Sequence, residues 1–253
     1  MRIALALAAA LFTLEVRGAC LARSGANTAV LVELYTSEGC GSCPPADRWL
    51  STLGERYSPS EVVPLALHVD YWDYIGWKDR YAKREFSQRQ RRLSQLQRAA
   101  LVYTPQVLVQ GGDYRQWQSA EFERTVARIN SQSARASLEL EILAVSSDGL
   151  QLRASAAVEE PTSRAQAAVY VAAYENRLES RITAGENRGV VLQHDRVVLE
   201  WRGPYALGTQ QIQLALLPKA KIADSGVAAF VQNRRTGEVL QALSLAACTP
   251  GNF

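Results

Sequence analysis

The sequence predicts an α/β domain followed by an all-β, sandwich-like domain. Three observations carry that prediction. Strand-like and helix-like runs alternate from residue 28 to residue 132. From residue 135 to residue 250 the pattern changes to short alternating apolar and polar runs with no helix between them. Between the first strand-like run and the first helix-like run stand Cys40 and Cys43, separated by two residues.

The N-terminus comes first. Met1-Arg2 is a short basic start, and residues 3–14 are continuously apolar and rich in Ala and Leu. That is the pattern of a secretory signal peptide, here taken as residues 1–22, and it is too short to span a bilayer. Small residues at Gly18, Ala19 and Ala22 place cleavage near Ala19 or Ala22. Cys20 raises lipoprotein anchoring as a lesser reading, because Arg17 stands where an apolar residue is expected. The expected location is exported, periplasmic, with no transmembrane span after cleavage. Disulfides persist in such a compartment. The 253 residues and 47% hydrophobic content are enough for two ordinary cores. A net charge of +3 is too weak to argue for nucleic acid.

Residues 30–35 form the first strand, and Ser37-Glu38-Gly39 turns the chain. Glu33 is a carboxylate inside that apolar run. It fits an edge strand with the acid in water, or a buried acid behind the cysteines that moves a proton. Pro44-Pro45 can open a helix but not continue one. Strand, Cys-x-x-Cys and helix start, in that order, put both sulfurs at a helix N-terminus, where the dipole favours negative charge. A thiolate there has its pKa lowered from about 8.5 to roughly 3.5–7.5 and is a nucleophile or metal ligand. The alternative is a plain structural disulfide.

The first helix runs over residues 46–56, with Trp49, Leu50 and Leu53 on one stripe, and Ser58-Pro59-Ser60 ends it. Residues 62–69 are a second strand, which ends in a cluster containing His68, Asp70, Trp72 and Asp73. If the two strands are parallel, His68 and Asp70 share the sheet edge with Cys40. Residues 83–102 read as a helix with Phe86, Leu93, Leu96 and Ala100 inward. Its Arg84, Arg89, Arg91, Arg92 and Arg98 read as a solvated face. Pro105 marks a fixed turn at the start of the strand 107–109, and Gly111-Gly112-Asp113 makes a hairpin turn. Ser119 can cap a helix that presents Phe122, Val126 and Ile129 together.

The second half offers strands over residues 137–145, 150–158, 167–174, 190–201, 211–217, 227–232 and 239–245. No catalytic set stands out there. His194 beside Asp195 reads as a surface pair, and the module reads as one that binds or positions a partner. Four cysteines allow three pairings, and Cys40–Cys43 would leave Cys20 and Cys248 for each other.

The order of elements, with Cys40-Gly41-Ser42-Cys43 at a helix start, Thr104-Pro105 before the hairpin and Glu33 in the first strand, resembles the thioredoxin-like fold over residues 28–132. That resemblance implies roles by position. Cys40 is the exposed nucleophile, Cys43 resolves the mixed disulfide, and Glu33 shuttles protons. The bond into Pro105 is cis, and Pro105 lines the substrate groove. Thr104 beside it and Trp72 of the aromatic cluster are also expected to touch substrate, apart from that resemblance. The loop from Glu33 to Cys40 is slightly longer than in thioredoxin itself, and Gly39 replaces the usual aromatic residue. The wording Thr36-Ser37-Glu38-Gly39-Cys40, Cys43-Pro44-Pro45-Ala46-Asp47, His68-Val69-Asp70-Tyr71-Trp72-Asp73, Tyr103-Thr104-Pro105-Gln106 and Gly185-Glu186-Asn187-Arg188-Gly189 is similar to one family of exported bacterial proteins. That family has a thioredoxin-like domain and no assigned function.

The expected activity is thiol–disulfide exchange on an exported protein or small thiol, with a recycling partner and no cofactor. Two other readings stand beside it. Cys40, Cys43 and His68 could form a soft site for Cu(I) in a metallochaperone, or the fold could serve a binding protein without turnover.

Overall fold

The computed structural model describes residues 20–99, 101–146, 149–218 and 220–249. The expected signal segment up to residue 19 lies outside them. The strands are β1 (Leu21–Arg23), β2 (Val30–Thr36), β3 (Val62–His68), β4 (Gln106–Val109), β5 (Gly112–Asp113), β6 (Ser137–Val145), β7 (Gly149–Ala157), β8 (Ala167–Glu175), β9 (Leu178–Arg181), β10 (Val191–His194), β11 (Val197–Tyr205), β12 (Gly208–Ala215), β13 (Ser225–Asn233) and β14 (Val239–Ala246). The α-helices are α1 (Pro44–Arg56), α2 (Arg84–Leu96), α3 (Ala120–Asn130) and α4 (Pro161–Gln166), and a 3₁₀ segment covers Asp70–Ile75.

An eight-stranded sheet runs through both halves of the chain in the order β14-β13-β8-β11-β3-β2-β4-β5. β2 and β3 are parallel from Val30↔Val62 to Thr36↔His68, and β4 lies antiparallel on the other side of β2. β11 then pairs parallel to β3 at Val197↔Ala66, where the Ala66 N–H donates to the Arg196 carbonyl at 2.8 Å. β8, β13 and β14 extend the sheet antiparallel from there.

This corrects the expected fold class. The chain is not an α/β thioredoxin-like domain followed by an all-β domain. It is mostly β, with fourteen strands against four α-helices among the described residues. Its largest sheet is built from both halves. The physical reason is the β3–β11 seam. Both strands are apolar on both faces at that point, and Leu65, Ala66, Val197 and Val198 are all buried. Joining the sheets there covers two edges that would otherwise present unpaired backbone groups.

Alternation along the strands sorts the layers. Val30, Val32 and Leu34 of β2 pack with Ala46, Leu50 and Leu53 of α1 and with Phe122 and Val126 of α3. Leu31 and Tyr35 face the other way, toward Phe86 and Leu93 of α2 and toward Tyr170 and Phe230 of the far strands. At that far end, Val169, Val171, Val227 and Val231 pack beneath a second sheet, β1-β6-β7-β12. So α2 covers one face, while α1 with α3 and the four-stranded sheet share the other.

Candidate functional site

The β2–α1 connection carries the cysteines. Cys43 is the N-cap of α1, with Pro44 and Pro45 at its first positions, and it is joined by a disulfide to Cys40. The two prolines remove backbone donors from the first turn. The N–H groups of Ala46 and Asp47 both donate to the Cys43 carbonyl, at 2.9 and 3.1 Å. Negative charge on a sulfur here is therefore favoured by the helix dipole more than by free N–H groups.

Cys40 is not the exposed nucleophile that the resemblance implied. Cys40 and Cys43 are both 0% exposed. On one side, Gly39 lies so close to the 3₁₀ segment that an added β-carbon would sit 3.2 Å from Ile75 and 3.3 Å from Trp72. That crowding explains why no aromatic residue precedes Cys40. On the other side lies the loop joining β9 to β10. Glu186 Oε2 accepts the Gly41 N–H at 2.7 Å. Asn187 Nδ2 donates to the carbonyls of Glu38 and Cys40 at 2.8 and 3.0 Å.

Beneath the cysteine turn is a buried polar cluster. It contains both histidines of the chain, His68 at the end of β3 and His194 at the end of β10, with ring centroids 5.0 Å apart. His68 Nδ1 is 2.6 Å from Asp79 Oδ2, and that same oxygen accepts the Glu38 N–H at 2.9 Å. Glu38 Oε2 accepts the Trp77 indole N–H at 2.8 Å, and Glu38 Oε1 is 3.3 Å from His194 Nε2. Asp47, one helical turn after Cys43, completes the group. Burial pushes the Asp47 carboxyl up, against the pull of His194 and His68. Burial also acts to lower the His68 pKa, but the carboxylates around it, Asp79 first and then Asp47 and Glu38, together raise it overall. At Asp79 burial acts to raise the pKa, but His68 together with the Glu38 and Tyr81 backbone N–H groups lowers it overall. Among the described residues, His68 Nε2, both ring nitrogens of His194, Glu38 Oε1 and Asp47 Oδ1 find no partner in hydrogen-bond geometry, and the Glu38–His194 contact is one of ion-pair distance only.

His194 therefore corrects its expected surface pairing, being only 3% exposed. Asp195 instead accepts the Arg177 N–H at 2.9 Å. Two features hid the histidine. The expected strand 190–201 is in fact β10 and β11, separated by Arg196 with φ +58°. β9 also lacked any strand signal strong enough to reveal the hairpin.

Glu33 is neither at an edge nor behind the cysteines. β2 is an interior strand, and Glu33 points to the α2 face, opposite α1. There Arg89 grips it with two bonds, at 2.6 and 3.0 Å, and the Tyr35 hydroxyl donates to it at 3.3 Å. Arg89 is thus no member of a solvated face. Its guanidinium packs against Trp201, Phe230 and Tyr170. Trp72 donates its indole N–H to Thr104 Oγ1 at 2.7 Å, and the Thr104–Pro105 bond is cis. Trp72 thereby connects Gly39 to Thr104. Pro105 lines a surface depression with Leu101, Tyr103, Arg115 and Trp117, to which neither cysteine contributes.

His68 is tied to Asp79 and both Cys40 and Cys43 to each other. Among the described residues, no group of three or more His, Cys, Asp or Glu side chains is arranged to hold a metal ion. No helix among them is long and apolar enough to cross a membrane.

Two solved structures share the architecture. Protein AGR_C_4864 from Agrobacterium tumefaciens aligns with a TM-score of 0.63 and 22% identity, over 91% of this chain and 99% of that one. HBP35 of Porphyromonas gingivalis aligns with a TM-score of 0.64 and 17% identity, over 91% of this chain and 79% of that one. At such identities the likeness is one of fold. No curated protein matches the chain. Residues 31–232 match the model of the family described as protein of unknown function (DUF1223), and the chain belongs to that family.

Proposed function

We propose that the protein is an exported thiol–disulfide oxidoreductase acting through Cys40 and Cys43. The observation that carries the reading is the disulfide across the N-cap of α1, a place where a thiolate is favoured when the bond opens. In the reduced protein the Cys40 thiolate attacks a disulfide of the substrate. A Cys40–substrate disulfide forms and one substrate thiolate leaves. Cys43 then attacks Cys40, releases the second substrate thiol and leaves Cys40–Cys43 oxidised. The reverse sequence oxidises a substrate dithiol. A redox partner resets the pair.

Export is supported by the basic start and apolar run at the N-terminus, and by two disulfides that pair all four cysteines. Lipid attachment at Cys20 would consume the sulfur that pairs with Cys248, so that pairing favours cleavage without a lipid anchor. The test is equilibration of the purified protein with glutathione buffers and with an oxidised model protein. Cys43→Ser is expected to accumulate a mixed disulfide at Cys40, and Cys40→Ser is expected to abolish exchange. Full exchange by Cys40→Ser would end this reading.

The complete burial of Cys40 favours a second reading, a structural disulfide in a binding protein without turnover. The pKa of Cys40 in the reduced protein separates the two. A depressed value supports exchange, and an ordinary thiol value near about 8.5 supports the binding protein.

A further inference from the structure

We infer that the β9–β10 hairpin is a movable cover over the Cys40–Cys43 disulfide, latched by Glu186 and Asn187, and that the pair meets other thiols only when this cover lifts. The inference rests on the proposed exchange reaction for its purpose, but not for its geometry.

The hairpin belongs to neither large sheet. Among the described residues, β9 and β10 pair only with each other, from Leu178↔His194 to Arg181↔Val191. A two-stranded ribbon is marginal in water by itself and stays where its ends are tied. Its base is tied firmly. His194 is buried against His68 and Glu38, and the Glu179 carbonyl accepts from Arg80 at 2.6 Å. Its tip is tied differently. The loop beyond Ile182 closes on itself through the Gly189 N–H to the Ile182 carbonyl at 2.8 Å, with Gly185 and Gly189 at φ +74° and +86°. Only side chains of that loop reach the cysteine turn. They are the Glu186 carboxylate on the Gly41 N–H and the Asn187 amide on the Glu38 and Cys40 carbonyls.

The latch is small and partly wet. The Glu186–Gly41 bond is exposed while both Asn187 bonds are buried, and Val190 and Val191, where the loop runs into β10, are 44% and 42% exposed. Segments held by few buried apolar contacts and exposed hydrogen bonds open first. The fit over Gly41 is nevertheless close: an added β-carbon there would lie 2.8 Å from Glu186 Oε2. A rigid base and a tip fastened to the cysteine turn by three side-chain bonds, with Gly185 lying against Ile75 and Trp77, make a flap over the disulfide.

The test uses the full oxidised protein and tris(2-carboxyethyl)phosphine, which reduces a disulfide irreversibly once it reaches it. Reduction of Cys40–Cys43 is timed by alkylation with iodoacetamide and peptide mass, which separates it from Cys20–Cys248. Glu186→Ala and Asn187→Ala are expected to speed reduction by roughly tenfold, the effect of losing one or two such bonds from the closed state. Glu186→Gln keeps an acceptor oxygen and is expected to stay close to the unmodified rate. If Asn187→Ala does not fold, Glu186→Ala at its exposed position decides the matter, together with hydrogen exchange of the Gly41 amide. That amide is expected to be protected in the unmodified protein and to exchange faster in Glu186→Ala. Equal reduction rates in Glu186→Ala and the unmodified protein, or reduction of the unmodified protein as fast as free oxidised glutathione, overturn the cover. Because the phosphine reports access alone, failure of protein exchange with the cover intact would retire only the oxidoreductase reading. Exchange with no effect of the latch variants would retire only the cover.

Discussion

At residue scale, Glu33 sits in the middle of β2 with its carboxylate buried from solvent, and Arg89 supplies the countercharge. Removing one partner of such a pair leaves an uncompensated buried charge. Arg89→Met is expected to destabilise the protein by about 3–5 kcal/mol in urea titrations, and adding Glu33→Gln should recover much of that loss. An equal loss in the double variant would show that Arg89 acts by packing on Trp201 and Phe230 instead. His68 and Asp79 give a second expectation. The His68 pKa is raised in the folded state, so its contribution is complete below the ordinary histidine value and is lost as pH rises through the folded one. The Asp79 pKa is lowered, so its contribution is present above the ordinary carboxylate value and is lost as pH falls through the folded one. The Asp47 pKa is raised, so its contribution is complete below the ordinary carboxylate value and is lost as pH rises through the folded one. Melting temperature should therefore peak between the two arms and decline on both sides. Asp79→Asn should flatten the profile, and an unchanged profile in that variant would remove the ion pair from the account. The cysteines and Thr104-Pro105 were legible because turn chemistry is local. The partners of Glu33 and His194 were not, because an acid in a strand or a histidine beside an aspartate gives no sign of a countercharge brought from another element.

At element scale, the cysteine turn is pressed between the Asp70–Ile75 segment and the β9–β10 hairpin. Gly39 shows how tightly. A β-carbon there would contact Trp72 Cβ and Ile75 Cδ1 at 3.3 and 3.2 Å, and Trp72 is fixed by its bond to Thr104. Gly39→Ala is expected to cost about 1–3 kcal/mol, as overpacking does. Ile75→Val should relieve part of it by removing the nearest contact atom. If Gly39→Ala proves neutral by denaturant midpoint, the segment yields more easily than this contact implies. Helices α1 and α3 were readable from their apolar stripes, and both strands flanking α1 from their continuous burial. The four-residue strand β9 was not, since too few residues alternate to set it apart from loop, and β10 was read only as the start of one longer strand with β11.

At the scale of the whole molecule, the β3–β11 seam makes the two halves depend on each other. Periodicity finds strands but not their partners, so a sheet assembled from both ends of the chain looked like two neighbouring units. Without the C-terminal half, β3 loses its neighbour β11. The Tyr35 and Leu65 face also loses Tyr170, Ala172, Ala228 and Phe230, which pack with it in one core. Arg89 loses all three aromatic rings it lies against. The termini are tied as well, since Cys20 is bonded to Cys248 across nearly the full chain and sits in the core beneath the four-stranded sheet. A fragment of residues 28–132 is therefore expected to lack a dispersed amide spectrum. In the full protein, tryptophan fluorescence and far-ultraviolet dichroism should lose their signals at one urea concentration. Cys20→Ser with Cys248→Ser should lower the unfolding free energy by about 2–4 kcal/mol, and the urea midpoint with it, while leaving the transition single, because the cross-link restrains the unfolded chain and the shared sheet enforces cooperativity. A fragment that folds, or two separated transitions in the full protein, would show that the seam joins units able to stand apart.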